Sequence, residues 1–201
     1  MDELNRKEQR QIRAVYTDDT IRVYQAYCPA IAEEAVALGT FGPHFKRTRM
    51  TWIKPSFLWM MYRCGWAEKD DNQSHVLAID IRREGFEQIL QNAVLSSYHE
   101  AVYGTQEQWQ ERRARASVVC QWDPDRDNWG NPLPRRAIQL GLKNEIVEQY
   151  VHDWIVSVTD ITPQVRAWKQ RLDAGETQIP ELPAEREYPV SEQLRKHLGM
   201  E

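Results

Sequence analysis

Apolar residues recur along this chain with two periods. Alternation marks strands at Gln11 to Tyr16 and Ile21 to Cys28, separated by the turn-forming run Thr17-Asp18-Asp19-Thr20, so a hairpin is predicted. In the second strand Ile21, Val23, Gln25 and Tyr27 share one face, while Arg22, Tyr24, Ala26 and Cys28 share the other. The run His75 to Ile81 (HVLAIDI) reads as a buried strand, and Ser117 to Trp122, Ala137 to Leu142 and Trp154 to Thr159 read as shorter ones. Helical spacing alternates with these segments. Pro29 opens a helix that Gly39 closes, and Pro55 opens one that Gly65 closes after Cys64. Further helices begin near Arg82, with Phe86, Ile89 and Leu90 on one face, and at Thr105, where Gln108 completes a capping box. Two more cover Lys143 to His152 and the segment after Pro163, which Thr162 caps. Ser96 to Gly104 is predicted irregular, and Asp123 to Arg136, rich in Pro, Asp and Asn, is predicted to be a long loop.

Strands and helices are mixed without strict βαβ alternation. That favours a single α+β domain with a mixed, largely antiparallel sheet and flanking helices over a doubly wound parallel fold. Residues 1–10 are charged and expected to fray, and residues 11–172 form the expected globular unit. Residues 173–201 contain Pro180, Pro183 and Pro189 and are expected to run extended over the surface before a short helix.

Composition narrows the function classes. At 201 residues the chain suits one domain. Its net charge of −4 argues against coating nucleic acid by bulk charge, although a local basic cleft is compatible with it. No apolar run approaches the roughly 20 residues that span a bilayer, and MDELNRKEQRQ lacks the apolar core of a secretory signal, so a cytoplasmic location is expected. The three cysteines, Cys28, Cys64 and Cys120, form no C-x-x-C pair and read as reduced core residues.

The segment Lys46 to Lys69 (KRTRMTWIKPSFLWMMYRCGWAEK) carries the most chemistry. Lys46, Arg47, Arg49, Lys54, Arg63 and Lys69 are interleaved with Trp52, Phe57, Trp59, Tyr62 and Trp66. Guanidinium and ammonium groups pair with phosphate, and aromatic faces stack on bases, so this mixture suits a phosphate-bearing ring ligand. It equally suits a buried helix with a charged rim, since Phe57, Met60, Met61 and Cys64 fall on one helical face.

Other motifs are excluded. G-x-G-x-x-G, the Walker loop, H-E-x-x-H and G-x-S-x-G are absent, and the five histidines have no ligand spacing, so no metal is expected. Asp123-Pro124-Asp125-Arg126-Asp127 begins like a calcium loop, but Asn128 and Pro134 occupy positions where an EF-hand needs Gly and Glu. Trp129 at the tip of this loop is a candidate ligand contact.

The segments RQIRAVY, IRVYQAY, RMTWIKPSFLWMMYRCGW, HVLAIDIRREGF, QWDPDRD and RAIQLGL together resemble a family catalogued as domain of unknown function 4291. A weaker, fold-level similarity is to ADP-ribosyltransferases, whose split mixed sheet binds NAD without a Rossmann fingerprint. That resemblance implies NAD as cofactor. It places Arg22 on a phosphate, Tyr24 or Tyr62 on nicotinamide and Gln139 on the ribose, although neither an H-Y-E nor an R-S-E triad is present. The alternative is a nucleotide- or nucleic-acid-binding module without catalysis, in which Lys46, Arg47, Arg49 and Lys54 hold phosphates and Trp52 and Trp59 stack. Under the transferase alternative Arg22, Tyr62 and Gln139 should converge on one cleft, with the Asp123–Arg136 loop at its mouth.

Overall fold

The computed structural model describes residues 10–201. The fraying expected at the N-terminus falls outside these residues except for Arg10, which bridges to Arg136. The domain is α+β and contains three sheets. Strands β2 (Thr20–Tyr27), β4 (His75–Arg82) and β8 (Ile155–Asp160) form an antiparallel sheet with β4 in the centre. Strands β3 (Thr51–Ile53), β7 (Pro132–Leu142), β6 (Val118–Arg126) and β5 (Ala93–Leu95) form a second, in which only the β5–β6 pairing is parallel. The short strands β1 (Arg13–Ala14) and β9 (Arg186–Glu187) pair with each other. The two larger sheets meet where Tyr24 bridges Lys54, its N–H donating to the Lys54 carbonyl at 2.8 Å.

Helices α1 (Pro29–Leu38), α2 (Phe57–Cys64), α3 (Arg83–Gln91), α4 (Glu100–Tyr103), α5 (Gln106–Arg115), α6 (Glu145–Gln149), α7 (Thr162–Asp173) and α8 (Glu192–His197) complete the chain, with a π turn at Tyr150–Trp154. Local signals place most of these ends. The Thr105–Gln108 capping box forms, and Gly39 and Gly65 terminate their helices in the left-handed region at φ 71° and 56°. Helix α2 starts two residues later than predicted, because Ser56 takes the N-cap position and its hydroxyl accepts from the Trp59 N–H, leaving Pro55 outside. Thr162 lies inside α7 rather than capping it. Its hydroxyl accepts from the Val76 N–H and so ties α7 to β4.

Several segments differ from expectation. Residues 96–104, expected to be irregular, hold the short helix α4, and strands β3 and β5 were not predicted. Asp123–Arg136 is mostly a hairpin rather than a loop: β6 and β7 pair as far as Arg126 and Pro132, and Asp127 closes the turn by accepting from the N–H groups of Trp129 and Asn131. The prolines that argued against strand are tolerated because this end of the ribbon is two-stranded, so the outer edges need no donor. The predicted first hairpin is kept only as the antiparallel bridge of Tyr16 to Ile21, and its first strand is reduced to β1, which pairs with β9. The C-terminal segment enters the core instead of only wrapping it, since Ile179, Tyr188, Leu198 and Met200 are buried.

Core packing forms two clusters. The larger lies around β2, β4 and the β5–β7 strands, and the smaller contains Tyr24 from β2, Phe57, Met60, Met61, Cys64 and Trp66 from α2 and its exit, and Val165 and Leu172 from α7. Cys64 and Cys120 are buried free thiols, and burial pushes both upward in pKa. Among the described residues no helix is long and apolar enough to cross a membrane.

The C-terminal segment is fastened at the start of α2. Glu185 accepts from the Phe57 N–H, and the Arg13 guanidinium donates to the Glu185 carbonyl. Burial, reinforced by the nearby Asp125 carboxylate, pushes the Glu185 carboxyl up to about 8, against the opposing pull of the Phe57 N–H, Arg13 and Arg135. A folded value above the ordinary one of 4.5 means that stability is fully present below about pH 4.5 and declines as pH rises to about 8. Glu185→Gln is therefore expected to lose less stability than the parent across that window. Thermal melts of both proteins at pH 5, 6.5 and 8 measure it, and parallel curves would refute the assignment.

Candidate functional site

The β-strands and α2 build one large cleft at the junction of the two sheets. Its volume is about 880 Å³, which lies within the roughly 300–1,000 Å³ common for small-molecule sites. Residues Gln25 and Tyr27 come from β2, Thr51 and Trp52 from β3, and Gln121, Asp123 and Gln139 from the β6–β7 ribbon. Lys54 follows β3 directly, Met60 and Arg63 come from α2, and Lys46 and Arg49 come from the loop before β3.

The floor is a closed hydrogen-bond network. The Gln25 amide donates at 2.7 Å to both the Tyr27 and the Thr51 hydroxyls, these two hydroxyls lie 2.9 Å apart, and the Tyr150 hydroxyl donates to the Gln25 carbonyl at 2.7 Å. Each buried polar group of the set has a partner, so the floor is rigid and does not require a ligand to satisfy it. Burial raises the pKa of both the Tyr27 and the Tyr150 phenols, which keeps them as neutral donors.

Lys54 is different. The residue is 7% exposed, and the hydrogen bond of its ammonium is a long one, 3.5 Å to the Trp52 carbonyl. Burial, reinforced by the neighbouring Arg63 charge, lowers its pKa to about 8. Lys46, Arg49 and Arg63 are exposed, and among the described residues none of these four cations is ion-paired. A buried ammonium without a carboxylate partner carries most of its desolvation cost uncompensated, and an anion entering the cleft would supply the missing charge.

Trp52 forms one wall. It stands opposite Gly141 in the β3–β7 register, and a Cβ at Gly141 would lie 3.0 Å from the Trp52 ring and 2.7 Å from the Met50 sulfur. The missing side chain therefore lets the indole settle against the sheet beside Gln139.

The candidate residues named from sequence divide into three groups. Arg49, Lys54 and Gln139 line the cleft. Tyr62 and Trp129 line a separate depression of about 270 Å³ on another flank of α2. Trp59 is buried there under Tyr62, stacked at 5.5 Å, with the Arg126 guanidinium 4.0 Å from the Tyr62 ring centre. Arg22 and Tyr24 belong to neither set of lining residues. Arg22 faces Asp80 across the β2–β4 register and donates to both carboxylate oxygens at 2.8 Å, while Tyr24 is fully buried against Phe57. Hence Arg22, Tyr62 and Gln139 do not converge. The cause is the register, which supplies Arg22 with a bidentate partner and leaves it no reason to reach a ligand. Arg47 is likewise engaged elsewhere, with Glu148 at 2.8 Å.

Sequence reasoning passed over Gln25, Tyr27, Thr51, Gln121 and Asp123. The available signal was polar residues two apart in apolar strands, Gln25 with Tyr27 and Gln121 with Asp123, which places each pair on one strand face. Reading Asp123 as the start of a loop hid the second pair. Among the described residues no group of three His, Cys, Asp or Glu side chains could hold a metal ion.

The profile of a family described as domain of unknown function (DUF4291) matches residues 11–188. No curated protein matches the chain.

Proposed function

This chain belongs to that DUF4291 family, whose description assigns no activity, and from the cleft we propose that it binds a nucleotide or a closely similar phosphate-bearing ring compound. The observation that carries this reading is the buried Lys54 ammonium, which makes no ion pair among the described residues, set among Lys46, Arg49 and Arg63 next to the Trp52 wall. Ammonium and guanidinium groups in a partly desolvated cleft take up phosphate, and an indole face takes up a base in a sequence-tolerant way. NAD falls within this ligand class. Transfer of its ADP-ribose draws less support, because Arg22 is committed to Asp80 while Gln139 alone of the proposed catalytic pair lines the cleft. Binding is accordingly the function the geometry favours, with transferase activity as an outcome that product analysis with NAD would reveal.

Titration with ATP, NAD and a phosphate-free nucleoside, read through tryptophan fluorescence, tests the proposal. Saturable quenching by the phosphate-bearing ligands, weaker response to the nucleoside and loss of the signal in Trp52→Phe are expected. No response at millimolar ligand would overturn it. Tight binding of a single-stranded oligonucleotide that collapses between low and moderate salt would move the assignment to nucleic acid instead.

A further inference from the structure

The cleft contains a second, oppositely charged feature. Asp123 is the one carboxylate among its lining residues. Gln121 and Gln139 stand opposite each other in the β6–β7 register, and Asp123 lies two residues along from Gln121 on the same face. The Gln121 amide donates to Oδ1 of Asp123 at 3.1 Å and the Gln139 amide donates to Oδ2 at 3.0 Å. Each oxygen therefore has one neutral donor, and the plane of the carboxylate is held from both sides.

That arrangement is selective in what it leaves open. An ionised carboxylate only accepts, and each oxygen keeps a free lone pair after taking one amide. No cation of the cleft is ion-paired with it within the described residues, although Lys54 is close enough to feel its charge. What fits the two remaining acceptors is a ligand edge with two adjacent donors. Among the common bases guanine has that edge, its ring N1–H lying beside its exocyclic amino group. Adenine sets an acceptor beside its amino group, and uracil flanks its single N–H with two carbonyls. The Trp52 indole, settled over Gly141 beside Gln139, is placed to hold the face of a ring whose edge reaches Asp123.

Resting on the nucleotide-binding reading above, we propose that the ligand of the cleft is a guanine nucleotide, with Asp123 reading the base and the basic residues taking the phosphates. Calorimetric titration of the full chain with GMP, IMP and AMP tests it. GMP is expected to bind about 10- to 100-fold more tightly than AMP, as for one well-made bidentate contact, and IMP, which keeps the ring N–H but lacks the amino group, should fall between them. In Asp123→Asn one acceptor becomes a donor, so affinity should shift from GMP toward XMP, whose ring carries a carbonyl where guanine has the amino group. Equal affinity of the parent for GMP and AMP would overturn the guanine assignment while leaving nucleotide binding intact, and absence of binding by all three would overturn both. The parent comparison stands on its own should Asp123→Asn fail to fold.

Discussion

Lys54→Met should raise the melting temperature of the free protein while removing its affinity for phosphate-bearing ligands. The two effects have one cause. Folding leaves Lys54 7% exposed, its ammonium with a single 3.5 Å hydrogen bond, and burial together with Arg63 lowers its pKa to about 8. At neutral pH the free protein thus holds a charge that it solvates poorly. Methionine has a similar reach and no charge, so the substitution should stabilise the protein by about 1–3 kcal/mol, in line with apolar replacement of other poorly compensated buried charges. For a chain of this size each kcal/mol corresponds to roughly 2–4 °C. The same change should weaken an anionic ligand by about 2–5 kcal/mol, the usual loss on truncating one partner of a desolvated charge pair.

A pH dependence follows from the same group. A bound anion favours the protonated amine, so the bound pKa lies above the free value of about 8. Affinity should be flat below pH 8 and should fall as pH rises above it, with proton uptake on binding in that range. Calorimetry in two buffers of different ionisation enthalpy measures the uptake, and scanning fluorimetry measures the stability. A lower melting temperature with unchanged affinity in Lys54→Met would make Lys54 a structural residue and remove the central support for the proposed site.

Phe57→Ala is expected to cost about 3–5 kcal/mol, close to the largest single-residue effect a core truncation produces. Phe57 is 1% exposed, and its ring makes edge contacts with Tyr24, Trp66 and Trp168 at centroid distances of 5.4, 5.9 and 5.5 Å. These rings come from β2, the exit of α2 and α7, so no one neighbour can move to fill the space without disturbing another. Rigid surroundings leave a cavity, and the cavity adds its own cost to the lost transfer energy. Urea denaturation gives the difference directly. A loss below about 1 kcal/mol would show that α2 is not held by this aromatic cluster.

Much of the fold was legible because its signals are short-range. Pro29 and Gly39, Gly65, and the Thr105–Gln108 box each act within a turn or so of backbone, and they mark helix ends where the chain forms them. The buried strand HVLAIDI declared itself as β4 by the apolar run Val76 to Ile79 followed by Ile81. The hairpin at β6–β7 was obscured because Pro124, Pro132 and Pro134 are poor strand residues in general, yet harmless on the outer edges of a two-stranded ribbon. Which edges are outer is not a local property.

The sequence by itself determined an α+β domain, a basic and aromatic segment at residues 46–69 and the candidacy of Arg49, Lys54 and Gln139. Tertiary structure decided which of those charges stay unpaired. Arg22 meets Asp80, 58 positions away, through β-sheet register, and Arg47 meets Glu148 across 101 positions, whereas Lys54 meets no carboxylate. It also set Gln121 and Gln139 on Asp123 and drew the C-terminal segment into the core through β1–β9 pairing. The physical reason is that a charge's partner depends on strand pairing between distant segments. Its free energy is realised only when whole sheets form, so no window of a few residues encodes it.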